Sequence, residues 1–131
     1  MDNNSTYTPS FFENLGKLFY AIAASDHKVE AIEISTLKEI IKTQWTIVDV
    51  FDNDALKHIV FMFDRLYKDE NVNSGACYLD FVNYKNTQKY LFTDTIKHLI
   101  LQTSNAIASS FSGRNKSELI MLAKLDIELK K

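Results

Sequence analysis

Apolar residues recur along this chain at intervals of three and four residues, the spacing that places side chains on one face of an α-helix. Short polar segments divide this pattern into six stretches. We therefore predict an all-α fold, a single bundle of about six helices. The predicted helices run from about residue 9 to 24, 30 to 43, 52 or 54 to 68, 76 to 91, 93 or 94 to 110, and 115 to 130.

Two of the predicted helix starts carry recognisable capping signals. Thr8 precedes Pro9, which matches an N-cap followed by proline at the first helical position. Asn115 and Glu118 match a capping box in which asparagine replaces serine or threonine. Both patterns predict that the chain enters a helix at these points.

The segment from Trp45 to Phe51 is rich in β-branched residues, which would suit a strand. A strand needs a partner, and no second strand-like segment is visible in the sequence. We therefore interpret residues 45–51 as a buried connection or as an extension of the second helix.

The last predicted helix has an apolar arc that is wider than a single stripe. A helix of this kind is either central to its fold or in contact with a partner chain. We expect central burial. The apolar residues are Leu119, Ile120, Leu122, Ala123, Leu125, Ile127 and Leu129.

The composition agrees with one helical domain of ordinary size. The chain has 131 residues, of which only three are Gly and one is Pro. Turn-rich β architectures use more of both residues, so their scarcity favours helices. We predict a flexible N-terminal segment over residues 1–8 and a helical domain over residues 9–131.

Charge and targeting signals disfavour several classes of protein. The chain has 15 basic and 17 acidic residues and no basic block, so nucleic-acid binding has little support. No apolar run approaches the ~20 residues that span a bilayer. The first residues lack the features of a signal peptide, and a single cysteine, Cys77, excludes an intrachain disulfide. We expect a cytoplasmic protein with no membrane insertion.

A helix–loop–helix motif occurs twice, at Ala21–Glu33 and at Ala106–Glu118, with an offset of 85 residues and no gap. In each copy, small residues end a helix and a carboxylate follows in the first turn of the next helix. A carboxylate there interacts favourably with the helix dipole. Five of the thirteen positions are identical in the two copies. In the first copy they are Ala21, Ile22, Ala23, Ser25 and Glu33, and in the second Ala106, Ile107, Ala108, Ser110 and Glu118.

The first copy resembles the TerB-like family of tellurite-resistance proteins. That family's motif has an alanine-rich helix end, then Asp-Gly, a hydrophobic residue and a Glu that opens the next helix. Asp26, Val29 and Glu33 fall on these positions, and the family repeats its motif near the C-terminus, as this chain does. His27 stands where the family usually has Gly, and in the second copy Phe111 replaces the Asp.

The resemblance implies a helical bundle with no established catalytic activity, associated with stress response and with membrane-linked complexes. Paired acidic motifs of the family are thought to bind a metal ion. The acidic positions carried over are Asp26, Glu33 and Glu118, and such oxygen ligands would favour Ca²⁺ or Mg²⁺. The alternative is that Glu33 and Glu118 simply cap their helices and that no cofactor binds.

The segment Asp69–Asp80 shares part of the spacing of a calcium-binding EF-hand loop. Asp69, Asn71, Asn73 and Asp80 fall at loop positions 1, 3, 5 and 12. Position 6, where the sharp turn requires Gly, is Ser74. We favour an interhelical loop followed by a helix start, and calcium binding stays an alternative.

Nothing in the sequence marks a catalytic centre. The three histidines are far apart, Cys77 has no identifiable base, and phosphate-loop and zinc signatures are missing. We predict a non-enzymatic protein.

Because the fourth helix is rich in aromatic residues, the rival hypothesis is an interaction module that binds a protein partner or a second copy through this helix or the last one. We expect the aromatic residues themselves to line the core. They are Tyr78, Phe81, Tyr84, Tyr90 and Phe92.

Overall fold

The computed structural model describes residues 7–26, 28–69, 71–110 and 116–131. These ranges contain six α-helices, two short 3-10 turns at Trp45–Ile47 and Lys89–Leu91, and no strand, which confirms the predicted all-α bundle. None of the helices in these ranges is long and apolar enough to cross a membrane. The helices are α1 (Pro9–Ala23), α2 (Ala31–Thr43), α3 (Asn53–Tyr67), α4 (Ser74–Thr87), α5 (Asp94–Ser110) and α6 (Lys116–Leu129).

Helix α1 is the centre of the bundle. It packs against α3, α4, α5 and α6, and ten of its fifteen residues are buried. It approaches α3 closely at Gly16, where a Cβ atom would lie 2.6 Å from the carbonyl oxygen of Ile59. Glycine therefore allows the two helices to touch through their backbones.

Helix α6 is not central, so the expectation of central burial is wrong. Its buried stripe contains Leu122, Leu125 and Leu129, whereas Leu119, Ile120 and Ile127 are exposed. The helix packs mainly on α5 and, less closely, on α1. One side of its apolar arc therefore faces solvent, and the alternative of a partner chain stays open.

Trp45 and Phe51 anchor the connection between α2 and α3. The indole Nε1 of Trp45 donates to Thr103 Oγ1 at 2.9 Å, and the two rings stack with their centroids 5.9 Å apart. Ile47 and Val50 are exposed. The predicted buried connection is thus correct for the two aromatic residues, partly correct for Val48, which packs against the core, and wrong for Ile47 and Val50.

The beginning of α1 is fixed by side-chain contacts. Tyr7 meets Phe11 and Phe51 edge-on, with ring centroids 4.9 and 5.1 Å apart. The backbone N–H of Phe11 donates to the Thr8 carbonyl oxygen at 3.0 Å, and the helix starts at Pro9, as predicted. Tyr7 therefore packs on the helical domain, while residues 1–6 of the predicted flexible segment lie outside the described residues.

A buried ion pair holds the end of α6 against α4. Lys85 Nζ lies 2.9 Å from Glu128 Oε2 and donates to the Glu128 carbonyl oxygen at 3.0 Å. Lys85 holds the pKa of Glu128 below its usual range by bonding the charged form, and Lys131 adds to the effect. This pair therefore fixes the C-terminal end of α6 on the bundle.

Candidate functional site

The two repeat units place a glutamate at the same point of a helix. Glu33 lies in the first turn of α2, and Glu118 lies in the first described turn of α6. Helix α2 follows α1 in the chain, and α6 follows α5. The two glutamates are therefore placed alike in the structure as well as in the sequence repeat.

Glu33 caps its own helix. Its Oε1 accepts the backbone N–H of Glu30 at 2.7 Å, and the Glu30 side chain accepts the backbone N–H of Glu33. This reciprocal pair is a capping box, which confirms the capping interpretation for Glu33. We did not predict Glu30 as the N-cap, although the Glu-x-x-Glu spacing before an apolar stretch was available in the sequence.

Glu33 and Glu118 meet in the interior of the molecule. Their side chains hydrogen-bond to each other, and only 1% and 3% of their surfaces are exposed. Carboxylates are acceptors only, so a bond between two carboxyl groups requires a proton on one of them. The pair therefore joins α2 to α6 through a shared proton.

The surroundings of Glu33 raise its pKa to about 8. Burial is the largest cause because it disfavours the charged form. The backbone N–H of Glu30 acts in the opposite direction, while the hydrogen bond to Glu118 and the negative charges of Glu118 and Asp26 raise the pKa further. Glu33 consequently holds its proton at neutral pH.

Asp26 is the third predicted acidic residue, and it occupies an exposed position just after α1. Its Oδ1 accepts the backbone N–H of Lys28 at 3.1 Å, and its charge acts on Glu33. Within the described ranges, no group of three or more His, Cys, Asp or Glu side chains is arranged to hold a metal ion. The structure thus brings Glu33 and Glu118 into contact and leaves Asp26 as a nearby charge.

Several residues of the repeated motif lie outside the described residues. They include the residue at which the first copy departs from the family pattern and those that connect α5 to α6. They are His27 and residues 111–115. The described part of the site consequently consists of the three carboxyl groups and Glu30.

The Asp69–Asp80 segment is a helix start and does not have the form of an EF-hand loop. Asn73 caps α4 by accepting a backbone N–H of its first turn at 2.9 Å, so the helix begins at Ser74, midway through the twelve positions that calcium would need. Asp80 instead pairs with Lys17 on α1 at 3.1 Å. The favoured prediction of a loop followed by a helix is confirmed.

The aromatic residues of the fourth helix are divided between core and surface. Phe81 and Phe92 are buried, and Tyr78 and Tyr84 pack partly against the core. Tyr90 is exposed. The core-lining prediction is therefore confirmed for the first four and wrong for Tyr90.

Cys77 is buried on α4. Burial raises the pKa of its thiol, and the negative charge of Asp80 raises it further. A thiol with a raised pKa is a weak nucleophile because the thiolate is the reactive form. This environment does not suit a catalytic cysteine.

A polar cleft of about 710 Å³ opens beside the end of α1, and the sequence did not reveal it. Two of its side-chain oxygens already accept backbone N–H groups, Asp69 Oδ1 from Asn71 and Asn73 Oδ1 from Ala76. They are engaged in local structure and are less available to a ligand. The cleft is lined by Tyr20, Ala24, Val29, Tyr67, Asp69, Asn71, Val72, Asn73 and Ser74.

Comparison of the chain with family models, with curated proteins and with solved structures finds no match. What the molecule does is therefore inferred from its own residues. Among them, the Glu33–Glu118 pair has the most unusual chemistry, since two acidic side chains share one buried position.

Proposed function

We propose that this chain is a non-enzymatic binding domain in which Glu33 and Glu118 bind a divalent cation in place of their shared proton. The observation that carries the proposal is the hydrogen bond between these two buried glutamates, which come from the two repeat units. A buried carboxylate is costly unless it is paired or coordinates a metal. The pair therefore requires a proton or a cation.

The ligand set favours hard cations. Carboxylate oxygens suit Mg²⁺ and Ca²⁺, and a site with two protein carboxylates leaves the rest of the coordination shell to water. That arrangement is usual for Mg²⁺, whereas Ca²⁺ takes roughly six to eight oxygen ligands. The charge of Asp26, which already acts on Glu33, would add to the attraction for a cation.

Calorimetric titration with MgCl₂ and with CaCl₂ tests this proposal. Binding must displace the proton, and with a Glu33 pKa of about 8 we expect affinity at pH 8 to be roughly fifty-fold higher than at pH 6, with a heat that depends on the buffer. Glu118→Gln should abolish binding. Glu39→Gln, which changes an exposed glutamate of α2, is the matched control and should bind as wild type does. A wild-type protein that binds neither cation at pH 8 would contradict the proposal.

We further propose that the domain is TerB-like and acts in a stress response or within a protein complex in the cytoplasm. Support comes from the six-helix bundle, the like placement of Glu33 and Glu118 in the first described turns of α2 and α6 and the proximity of Asp26, Glu33 and Glu118. Tellurite as such is not implied by these residues.

A deletion strain should be stress-sensitive and be rescued by the wild-type gene. The Glu33→Gln, Glu118→Gln gene should fail to rescue it, and equal rescue by both genes would argue against this role.

A second candidate function is a homodimeric interaction module without an ion site. The exposed Leu119, Ile120 and Ile127 on α6 favour it, because exposed apolar side chains on one helix often mark protein contacts. Sedimentation over a range of concentrations should then show a dimer that Ile120→Glu dissociates. A protein that stays monomeric at high concentration would exclude this candidate.

A further inference from the structure

A groove of about 700 Å³ lies between α2 and α3. Its floor is apolar, since Ile41 and Leu56 are buried members of the core and Val60 packs partly against it. Phe61 lines the same groove with 62% of its surface exposed. An exposed phenylalanine beside an apolar floor is typical of a surface that binds another molecule.

The groove is lined with positive charge. Lys38 and Lys42 lie one turn apart on α2, and Lys57 lies on α3. The only acidic residue lining the groove in the described part of the chain is Asp54, which pairs with Lys57 at 3.4 Å. Lys38 and Lys42 form no ion pair with any described residue. The groove is therefore locally basic in a chain whose net charge is −2.

We propose that this groove binds an amphipathic helix of a partner protein, with apolar side chains on its floor and acidic side chains against the three lysines. Two helices that flank an apolar floor accept a third helix through its i, i+3, i+4 and i+7 positions. Lysines along the groove attract carboxylates and repel basic segments. A nucleic acid fits less well because it would leave the apolar floor and Phe61 without partners.

This inference is independent of the proposed cation site. None of the residues that line the groove belongs to the Glu33–Glu118 pair or its cap. Peptide binding and cation binding can consequently succeed or fail separately, and each has its own variants.

Two synthetic peptides of about 18 residues, or five helical turns, provide the probe. Both carry leucine at the same i, i+3, i+4 and i+7 positions, and the flanking positions are Glu in one peptide and Lys in the other. Fluorescence anisotropy should show the acidic peptide binding at least about ten-fold more tightly, with weaker binding at high salt. Equal affinities, or no binding of either peptide at about 1 mM, overturn the proposal.

Charge-reversal variants locate the site. One triple variant carries Lys38→Glu, Lys42→Glu and Lys57→Glu. It should reverse the preference, so that the basic peptide binds more tightly. A control with the same change in net charge, Lys89→Glu, Lys116→Glu, Lys124→Glu, alters three exposed lysines elsewhere and should keep the wild-type preference. A control that reverses the preference equally would show a general charge effect and overturn the proposal.

A pair of single substitutions tests the apolar contact. Phe61 and Ile127 are both 62% exposed, so replacing either with Ala should leave the fold intact. Phe61→Ala should weaken binding of the acidic peptide by about ten-fold or more, and Ile127→Ala should leave that affinity unchanged. Amide shifts of the labelled protein should map to α2 and α3. If the same shifts appear on concentrating the protein alone, a second copy fills the groove and the proposal is overturned.

Discussion

Glu33 makes two contacts that favour different charge states. As part of a capping box it accepts the backbone N–H of Glu30, which stabilises a carboxylate. As the neighbour of Glu118 it takes part in a hydrogen bond that requires a proton. Burial and the nearby carboxyl groups outweigh the cap, so the pKa rises. A position that resembles an ordinary helix cap is thus sensitive to pH.

The raised pKa of Glu33 predicts that the protein loses stability as pH increases. In the folded state Glu33 keeps its proton up to a pKa of about 8, whereas the unfolded chain releases it near the usual value. Between these values folding takes up a proton, and the free energy of unfolding falls by as much as ~1.4 kcal/mol per pH unit. Urea unfolding at pH 5, 6, 7 and 8 measures this slope.

Glu33→Gln should flatten that slope, because glutamine can accept the Glu30 N–H without titrating. Glu39→Gln changes an exposed residue of the same helix and should leave the slope unchanged. Subtracting the slope of Glu33→Gln from the slope of Glu39→Gln cancels the contributions of the other titrating groups and leaves that of Glu33. Identical slopes for wild type and Glu33→Gln would show that Glu33 titrates normally.

Helix boundaries were predictable where the signal is local. Pro9 begins α1, as predicted. The third helix was expected to begin at Asp52 or Asp54, and Asp52 is the residue that caps α3, by accepting a backbone N–H at 2.8 Å. The end of α4 was not predictable, because Tyr90 and Leu91 continue its apolar spacing. The helix ends at Thr87, whose hydroxyl donates to the Tyr84 carbonyl oxygen at 2.9 Å. That carbonyl also accepts a backbone N–H just beyond the helix.

The contact between α1 and α3 predicts that Gly16→Ala destabilises the protein. In a helix with free space around it, this substitution usually stabilises by about 0.5–1 kcal/mol. Here the new Cβ would lie 2.6 Å from the Ile59 carbonyl oxygen and 2.8 Å from Met62 Cβ. We expect a loss of about 1–3 kcal/mol in the free energy of unfolding, measured by urea denaturation. A gain in stability would show that the helices are farther apart.

The ion pair between α4 and α6 predicts that Lys85→Met is strongly destabilising. Removing one partner of a buried pair leaves the other charge without compensation and costs about 3–5 kcal/mol. Among the described residues, Glu128 would keep only Lys131 as a partner, whose Nζ lies 3.2 Å from its Oε1. Hydrogen exchange should then speed up along the C-terminal half of α6. Lys68→Met breaks an exposed pair with Asp64 and should change stability by less than about 1 kcal/mol.

At the scale of the whole molecule, the acidic pair depends on how distant segments pack. The repeat identified Glu33 and Glu118 as equivalent, but their contact requires α2 and α6 to begin side by side. That arrangement follows from the packing of both α2 and α6 on α5 and from the Lys85–Glu128 pair. Periodicity gives the apolar face of each helix and does not say which helix it meets. For the same reason the sequence did not reveal that α6 exposes Ile120 and Ile127.

The shared proton and the ion pair bind α6 to the rest of the bundle at both ends, so we expect the described helices to unfold as one cooperative unit. Trp45 is the single tryptophan, and its buried indole donates to Thr103 on α5. Its fluorescence therefore reports the core, while far-UV circular dichroism reports all helices.

The two urea transitions of the wild type should coincide, as in two-state unfolding. Lys85→Met should separate them, because helix content is lost from α6 before Trp45 becomes exposed. Separate transitions in the wild type would instead mean that α6 is already an independent unit.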